Sequence, residues 1–140
     1  VVARGLIDEQ GLKGIHLRLA ELLKEGGAEF DVVYYCPHHP ERGHAGADDP
    51  RYRRDCDCRK PKPGMLTAAA GELGIDLSRS FIVGDSTRDV AAGRSAGCRT
   101  VLVRTGHAGR DGCCPEEKPD SVVDSISDAA EWILGARSPA

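Results

Sequence analysis

Four residues with the ligand preferences of zinc bracket one irregular stretch of the chain, Cys36 and His38 at its start and Cys56 and Cys58 toward its end. Zinc takes thiolate and imidazole ligands in a tetrahedron, and this Cys₃His set leaves 17 residues between His38 and Cys56. The C-x-C step is tighter than the usual C-x₂-C, and His39 and His44 could substitute for His38. Four ligands close a metal site, so the expected role is structural. The loop 36–64 has almost no apolar residues with which to hold itself. Arg59 and Lys60 follow the last thiol directly, and Arg51, Arg53, Arg54 and Lys62 thicken the positive charge. Arg suits bidentate contact with phosphate, and Lys supplies a point charge. The competing reading is a solvated basic face. Asp48, Asp49, Asp55 and Asp57 dilute the charge and Tyr52 is the stretch's one aromatic, so nucleic acid is not the expected partner.

A second group of chemically capable residues follows the run Phe81-Ile82-Val83, where Gly84-Asp85-Ser86-Thr87-Arg88-Asp89 places two carboxylates four residues apart. Magnesium takes hard oxygen ligands, usually one or two carboxylates plus substrate phosphate, and Asp85 at a strand end suits it. Asp85 could instead be a turn residue, and Asp89 could merely complement a helix dipole. Arg104 is either a cation on the same rim or a solvated end residue. Cys98 reads as a core thiol, Cys113 and Cys114 as loop thiols, and His16 as a surface residue.

The elements that must position these groups alternate. Asp8 can cap a helix with Leu12, Ile15, Leu19 and Leu22 on its inner face, stopped by Gly26-Gly27. Phe30 to Tyr35 is β-branched and aromatic and predicts a buried strand. A second helix carries Met65, Leu66, Ala69 and Leu73 and stops at Gly74; a third begins near Ser86-Thr87, carries Val90, Ala91 and Ala92, and stops at Gly97. Phe81 to Asp85, Arg99 to Val103 and Ser121 to Val123 predict strands, and Ser127 can cap a closing helix with Ala130, Ile133 and Leu134 inward. Helices alternating with short apolar strands predict an α/β fold with a parallel sheet, whose sites form at the carboxyl ends of the strands. Cys36, Asp85 and Arg104 each stand at such an end.

The 140 residues make one domain's worth of chain, with 40% apolar residues and a net charge of -3. No apolar run reaches the roughly 18 residues of a membrane span, and no signal peptide opens the chain, so a cytoplasmic setting is expected. Six cysteines clustered beside histidine suit a metal in a reducing compartment better than disulfides. The opening Val-Val-Ala-Arg-Gly reads as the tail of a strand or loop and predicts a piece of a longer protein.

C-P-H-H-P, C-D-C-R-K-P-K-P-G-M-L, F-I-V-G-D-S-T-R-D and V-L-V-R-T-G together resemble the D-glycero-D-manno-heptose 1,7-bisphosphate 7-phosphatases of the haloacid dehalogenase superfamily. The likeness runs from Val2 to about Thr105. It implies structural zinc at Cys36, His38, Cys56 and Cys58, substrate contact by Arg59, phosphoryl stabilisation by Lys60, and catalytic magnesium at Asp85 with Asp89 in support. It also implies a monomeric bacterial enzyme acting on a sugar phosphate, free of membrane and nucleic acid. Histidinol-phosphate phosphatases share C-P-H and C-x-C-R-K-P with a shorter metal loop and are the alternative; a non-catalytic zinc module is the alternative of another class. Ser86 stands where some members carry a substrate-touching lysine. The D-x-D-G-T strand that opens the family's fold, carrying the attacking aspartate and the general acid/base, and the later T-N-Q-S strand do not occur in the 140 residues. The expected architecture is therefore the C-terminal part, residues 1–140, of one Rossmann-like domain lacking its first two strands, with the zinc loop inserted and apolar edges left open.

Overall fold

The computed structural model describes residues 2–41 and 49–137; His44 and Asp48 lie outside the described residues. The chain divides into two compact units, Val1–Arg59 and Lys60–Ala140.

In the first unit Asp8 caps α1 (Glu9–Glu25), its carboxylate accepting from the Gly11 N–H at 2.7 Å. Glu9 in the first turn and Lys24 in the last complement the helix dipole. Gly27, at φ +74°, ends the helix, and the Ala28 N–H reaches back to the Leu23 carbonyl at 2.9 Å. The expected inner face differs: Ile15, Leu19 and Leu22 are 55%, 45% and 48% exposed. The half-buried positions are Gly11, Leu12, His16, Ala20 and Leu23, so of the expected face only Leu12 turns inward, and the His16 ring lies 5.8 Å from that of Tyr35. Phe30 to Tyr35 is irregular rather than a strand. Its apolar, β-branched composition is not enough, because a strand exists only through a ladder, and among the described residues none pairs with it. Val2 and Ala3 are buried, held by the Ala3 N–H on the Pro37 carbonyl at 3.0 Å and the Asp49 N–H on the Ala3 carbonyl at 3.3 Å.

The second unit holds α2 (Gly64–Leu73), β1 (Phe81–Gly84), α3 (Thr87–Ser95), β2 (Arg99–Val103), β3 (Ser121–Val123) and α4 (Ile126–Arg137). α2 stops at Gly74, which takes the left-handed φ of +66° that a side chain would resist. The strands form a parallel sheet in the order β1-β2-β3, with Phe81 opposite Arg99 and Val103 opposite Val123. Side chains alternate across it. Ile82 and Thr100 face α3, where Gly93 lets the helix approach so closely that a Cβ would strike both. Val83, Val101, Val103 and Val123 face the other way and pack with Ala129, Trp132 and Ile133 of α4.

That α4 face is displaced by one residue from the expected one. Ser125, not Ser127, caps the helix, exchanging hydrogen bonds with Asp128, so the buried row falls on Ala129, Trp132 and Ile133 while Leu134 is 66% exposed. Arg99 lies against two rings, its guanidinium 5.1 Å from the Phe81 centroid and 4.7 Å from that of Trp132, and so joins β1, β2 and α4. Thr100, fully buried, is satisfied by Asp120: its N–H donates to the carboxylate at 2.7 Å and its hydroxyl at 3.1 Å.

Candidate functional site

In the first unit the four zinc-type residues converge although two pairs are far apart in sequence. One ligand atom from each of Cys36, His38, Cys56 and Cys58 lies within 4.8 Å of the other three. The sulfurs are 3.2 Å apart for Cys58 with Cys36 and with Cys56, and 3.5 Å for Cys36 with Cys56; His38 Nδ1 is 3.3 Å from Cys58 Sγ and 3.8 Å from Cys36 Sγ. A tetrahedron with zinc–sulfur bonds of about 2.3 Å and zinc–nitrogen bonds of about 2.0 Å has edges of roughly 3.5–3.8 Å, so the donor set fits zinc in type and size. Without a cation the three thiols resist ionising together. Burial and the two neighbouring sulfurs push Cys58 up to about 12, and burial raises Cys36. Burial opposes ionisation of Cys56 too, but hydrogen bonds from Cys58 and Cys36 outweigh it and bring that thiol down. A dication would hold all three as thiolates.

His39 stands apart from this cluster, accepting from the Glu41 N–H at 3.2 Å and lying 3.0 Å from the Arg4 guanidinium. Arg59 donates to the His38 carbonyl at 3.2 Å, which anchors the guanidinium to the backbone of a cluster residue. Arg51 is held instead by Asp49, with contacts of 2.6–3.1 Å.

In the second unit Lys60, Asp85 and Asp89 gather at the carboxyl end of β1. Lys60 Nζ donates to Asp89 Oδ1 at 2.5 Å, while Asp89 Oδ2 accepts from the Ser86 hydroxyl at 2.6 Å and the Ser86 N–H at 3.2 Å. Asp89 is thus both the N3 residue of a capping box and the partner of a cation. Burial would raise its pKa, but Lys60 and Ser86 outweigh that and hold it below the ordinary carboxylate value. A Cβ on Gly84 would run into the Asp89 side chain, which is why the strand must end in glycine. Asp85, one step on, accepts from the His107 N–H at 2.8 Å through Oδ2, and its carbonyl accepts from the Gly109 N–H at 2.8 Å. A carboxylate oriented by one oxygen keeps the other for a hard cation, so Asp85 fits magnesium in donor type. Arg104 is a solvated end residue, paired with Asp124 at 2.7 Å with both side chains mostly exposed.

Sequence reading missed the loop that sets Asp85. Gly106, Gly109 and Gly112 take φ of +65°, +74° and +65°, and a side chain on Gly106 would collide with the Asp85 carboxylate. Asp111, whose side chain is 2% exposed, accepts from the Thr87 N–H and hydroxyl at 2.7 Å each and from Arg88 Nε at 3.1 Å. Burial opposes its charge, yet those donors push its pKa far below the usual carboxylate range. The available signal was the recurrence of glycine every third residue from 106 to 112. Asp111→Ala is expected to destabilise the chain by about 1–3 kcal/mol, since it strands the Thr87 donors at a helix start, and urea unfolding measures it. Both depressed carboxylates give stability that is complete above their unfolded pKa of about 3.9 and lost as pH falls through the lower folded values. The urea midpoint should therefore fall between about pH 5 and pH 2, and fall less in Asp111→Asn.

A family model described as HAD-hydrolase-like matches residues 57–129. The D-glycero-beta-D-manno-heptose-1,7-bisphosphate 7-phosphatase of Pseudomonas aeruginosa is 39% identical over 133 residues, covering 95% of this chain and 68% of the relative. That of Pasteurella multocida is 41% identical over 139 residues, covering 98% and 71%. The crystal structure of the D,D-heptose 1,7-bisphosphate phosphatase from B. bronchiseptica, complexed with magnesium and phosphate, superposes with a TM-score of 0.77 at 35% identity, over 96% of this chain and 69% of that one. With the parallel sheet, the Cys₃His cluster and the motifs that carry them, these likenesses establish that the chain belongs to the heptose bisphosphate phosphatase family of haloacid dehalogenase-like hydrolases.

Proposed function

We propose that this chain supplies the zinc-closed and magnesium-holding part of a phosphatase that hydrolyses the 7-phosphate of D-glycero-D-manno-heptose 1,7-bisphosphate. The observation that carries the reading is the meeting of Lys60, Asp89 and Asp85 at one strand end. There an ammonium, fixed by a carboxylate that is itself fixed by Ser86, stands ready for a phosphoryl oxygen. Asp89 is the positioning residue, because its two oxygens divide between Lys60 and Ser86 and so set where the ammonium can point. Arg59 meets the substrate, its guanidinium steadied by the His38 carbonyl. Cys36, His38, Cys56 and Cys58 hold zinc as a structural clamp on the loop that ends in Arg59. Magnesium at Asp85, when bound, supplies a Lewis acid that offsets charge on the transferring phosphoryl group.

The attacking aspartate of the D-x-D-G-T strand is absent from the 140 residues, and the proposed part belongs with it in a single domain. On this proposal the whole works as a monomer in the bacterial cytoplasm. On this reading the purified 140-residue chain should show no Mg²⁺-dependent release of phosphate from heptose bisphosphate, and turnover abolished by chelation of Mg²⁺ would contradict it.

A further inference from the structure

Cys113 and Cys114 belong to neither candidate metal site, yet the backbone around them is firmly held. Asp111 is fixed by three hydrogen bonds to Thr87 and Arg88, the chain turns at Gly112 with φ +65°, and the Cys114 N–H then donates to Thr87 Oγ1 at 3.0 Å. Adjacent side chains in an extended segment point to opposite sides. Here the turn brings the two sulfurs to 3.4 Å, with the Cys114 S–H donating to Cys113 Sγ. Cys113 is exposed and Cys114 half-buried, so the pair opens to solvent on one side.

Two thiols this close can join each other or share a third atom. Joining is disfavoured, because a trans peptide sets neighbouring Cα atoms about 3.8 Å apart, short of the roughly 4.4 Å at which unstrained disulfides begin. Sharing is not. Two bonds of about 2.3 Å, the length of a typical metal–thiolate bond, span the 3.4 Å between the sulfurs with an angle of about 95° at the shared atom. That angle is narrower than a tetrahedral ion prefers and suits a pyramidal, three-coordinate centre.

We propose that Cys113 and Cys114 form a dithiol site that captures one thiophilic, trivalent centre of the arsenic(III) class. With an organoarsenic(III) oxide the step is a condensation. Both S–H bonds and the As=O bond break, two As–S bonds form, and the oxygen leaves as one water carrying both thiol protons. No oxidation state changes, so no oxidant is needed. Burial, with the Cys113 sulfur beside it, pushes the Cys114 thiol up to about 11, so it enters the step protonated and its proton leaves in the water, with no net proton released to solvent.

The test is to treat the zinc-loaded 140-residue chain with stoichiometric phenylarsine oxide and to locate the adduct by intact-mass and peptide mass spectrometry. Location matters, since the sulfurs of the Cys₃His cluster are equally close. One phenylarsenic adduct is expected on the peptide carrying Cys113 and Cys114. It should be lost in Cys113→Ser and in Cys114→Ser, retained in Cys98→Ser, and should withstand excess monothiol but yield to an added dithiol. An adduct that persists in both serine variants, or a wild-type chain that carries none on that peptide, would overturn the proposal; circular dichroism of the serine variants checks that they remain folded.

Discussion

Replacing Cys56 with serine is expected to empty the Cys₃His cluster of zinc and to release the segment it ties. Elemental analysis should fall from about one zinc per wild-type chain to near none, because the site relies on charge-bearing thiolates and a serine hydroxyl is a poor substitute. The effect on order should be large. Structural zinc contributes on the order of 10 kcal/mol to small metal-bound segments at neutral pH, whereas Cys36, Cys56 and Cys58 are all only half-buried and the loop offers little apolar packing to replace it. Limited proteolysis should accordingly cut the 36–59 segment of the variant, or of chelator-treated wild type, much faster than zinc-loaded protein. A variant that keeps its zinc and its protease resistance would sink the assignment.

Lys60→Ala and Asp85→Asn are expected to have the largest effects on activity, in a setting where activity can be measured. Such a setting is a chimera in which the opening segment of a relative, with its D-x-D-G-T strand, precedes Val2. On the proposed reading Lys60→Ala removes the ammonium aimed at the transferring phosphoryl group and Asp85→Asn weakens the hold on the magnesium that would offset its charge, and each should lower kcat by about 10²–10³-fold. Stability should respond far less. The Lys60 side chain is 46% exposed, so its pairing with Asp89 is screened by water and its loss should cost only about 1 kcal/mol. A fall in kcat out of proportion to any shift in the urea midpoint therefore marks Lys60 as acting on substrate; an equal loss of both would reduce it to a structural partner of Asp89.

The parts legible in sequence are those whose physics is local. Asp8 before an amphipathic run, Gly74 after one, and the apolar runs at Phe81, Arg99 and Ser121 each carry their own signal, and the structure places a cap, a stop and three parallel strands there. The Cys-x-His and Cys-x-Cys pairs were legible because ligand types and spacing are chemistry written directly in the chain. The misses needed information from elsewhere. Phe30 to Tyr35 has strand composition, but a strand also requires a neighbour. Ser127 and Ser125 are equally good caps by type, and the contact between Ser125 and Asp128 decides between them, shifting the buried face to Ala129, Trp132 and Ile133. Asp111 was invisible as a site residue because its partners, Thr87 and Arg88, lie more than twenty residues away and meet it only through a glycine-shaped loop.

The chimera also tests the central claim most directly, by its turnover of D-glycero-D-manno-heptose 1,7-bisphosphate compared with histidinol phosphate in the presence of Mg²⁺. The account predicts faster release of the 7-phosphate of the heptose, abolished by chelating Mg²⁺ and by Asp85→Asn. A folded, zinc-loaded chimera that hydrolyses neither substrate, prefers histidinol phosphate, or works equally well with Asp85→Asn would contradict it.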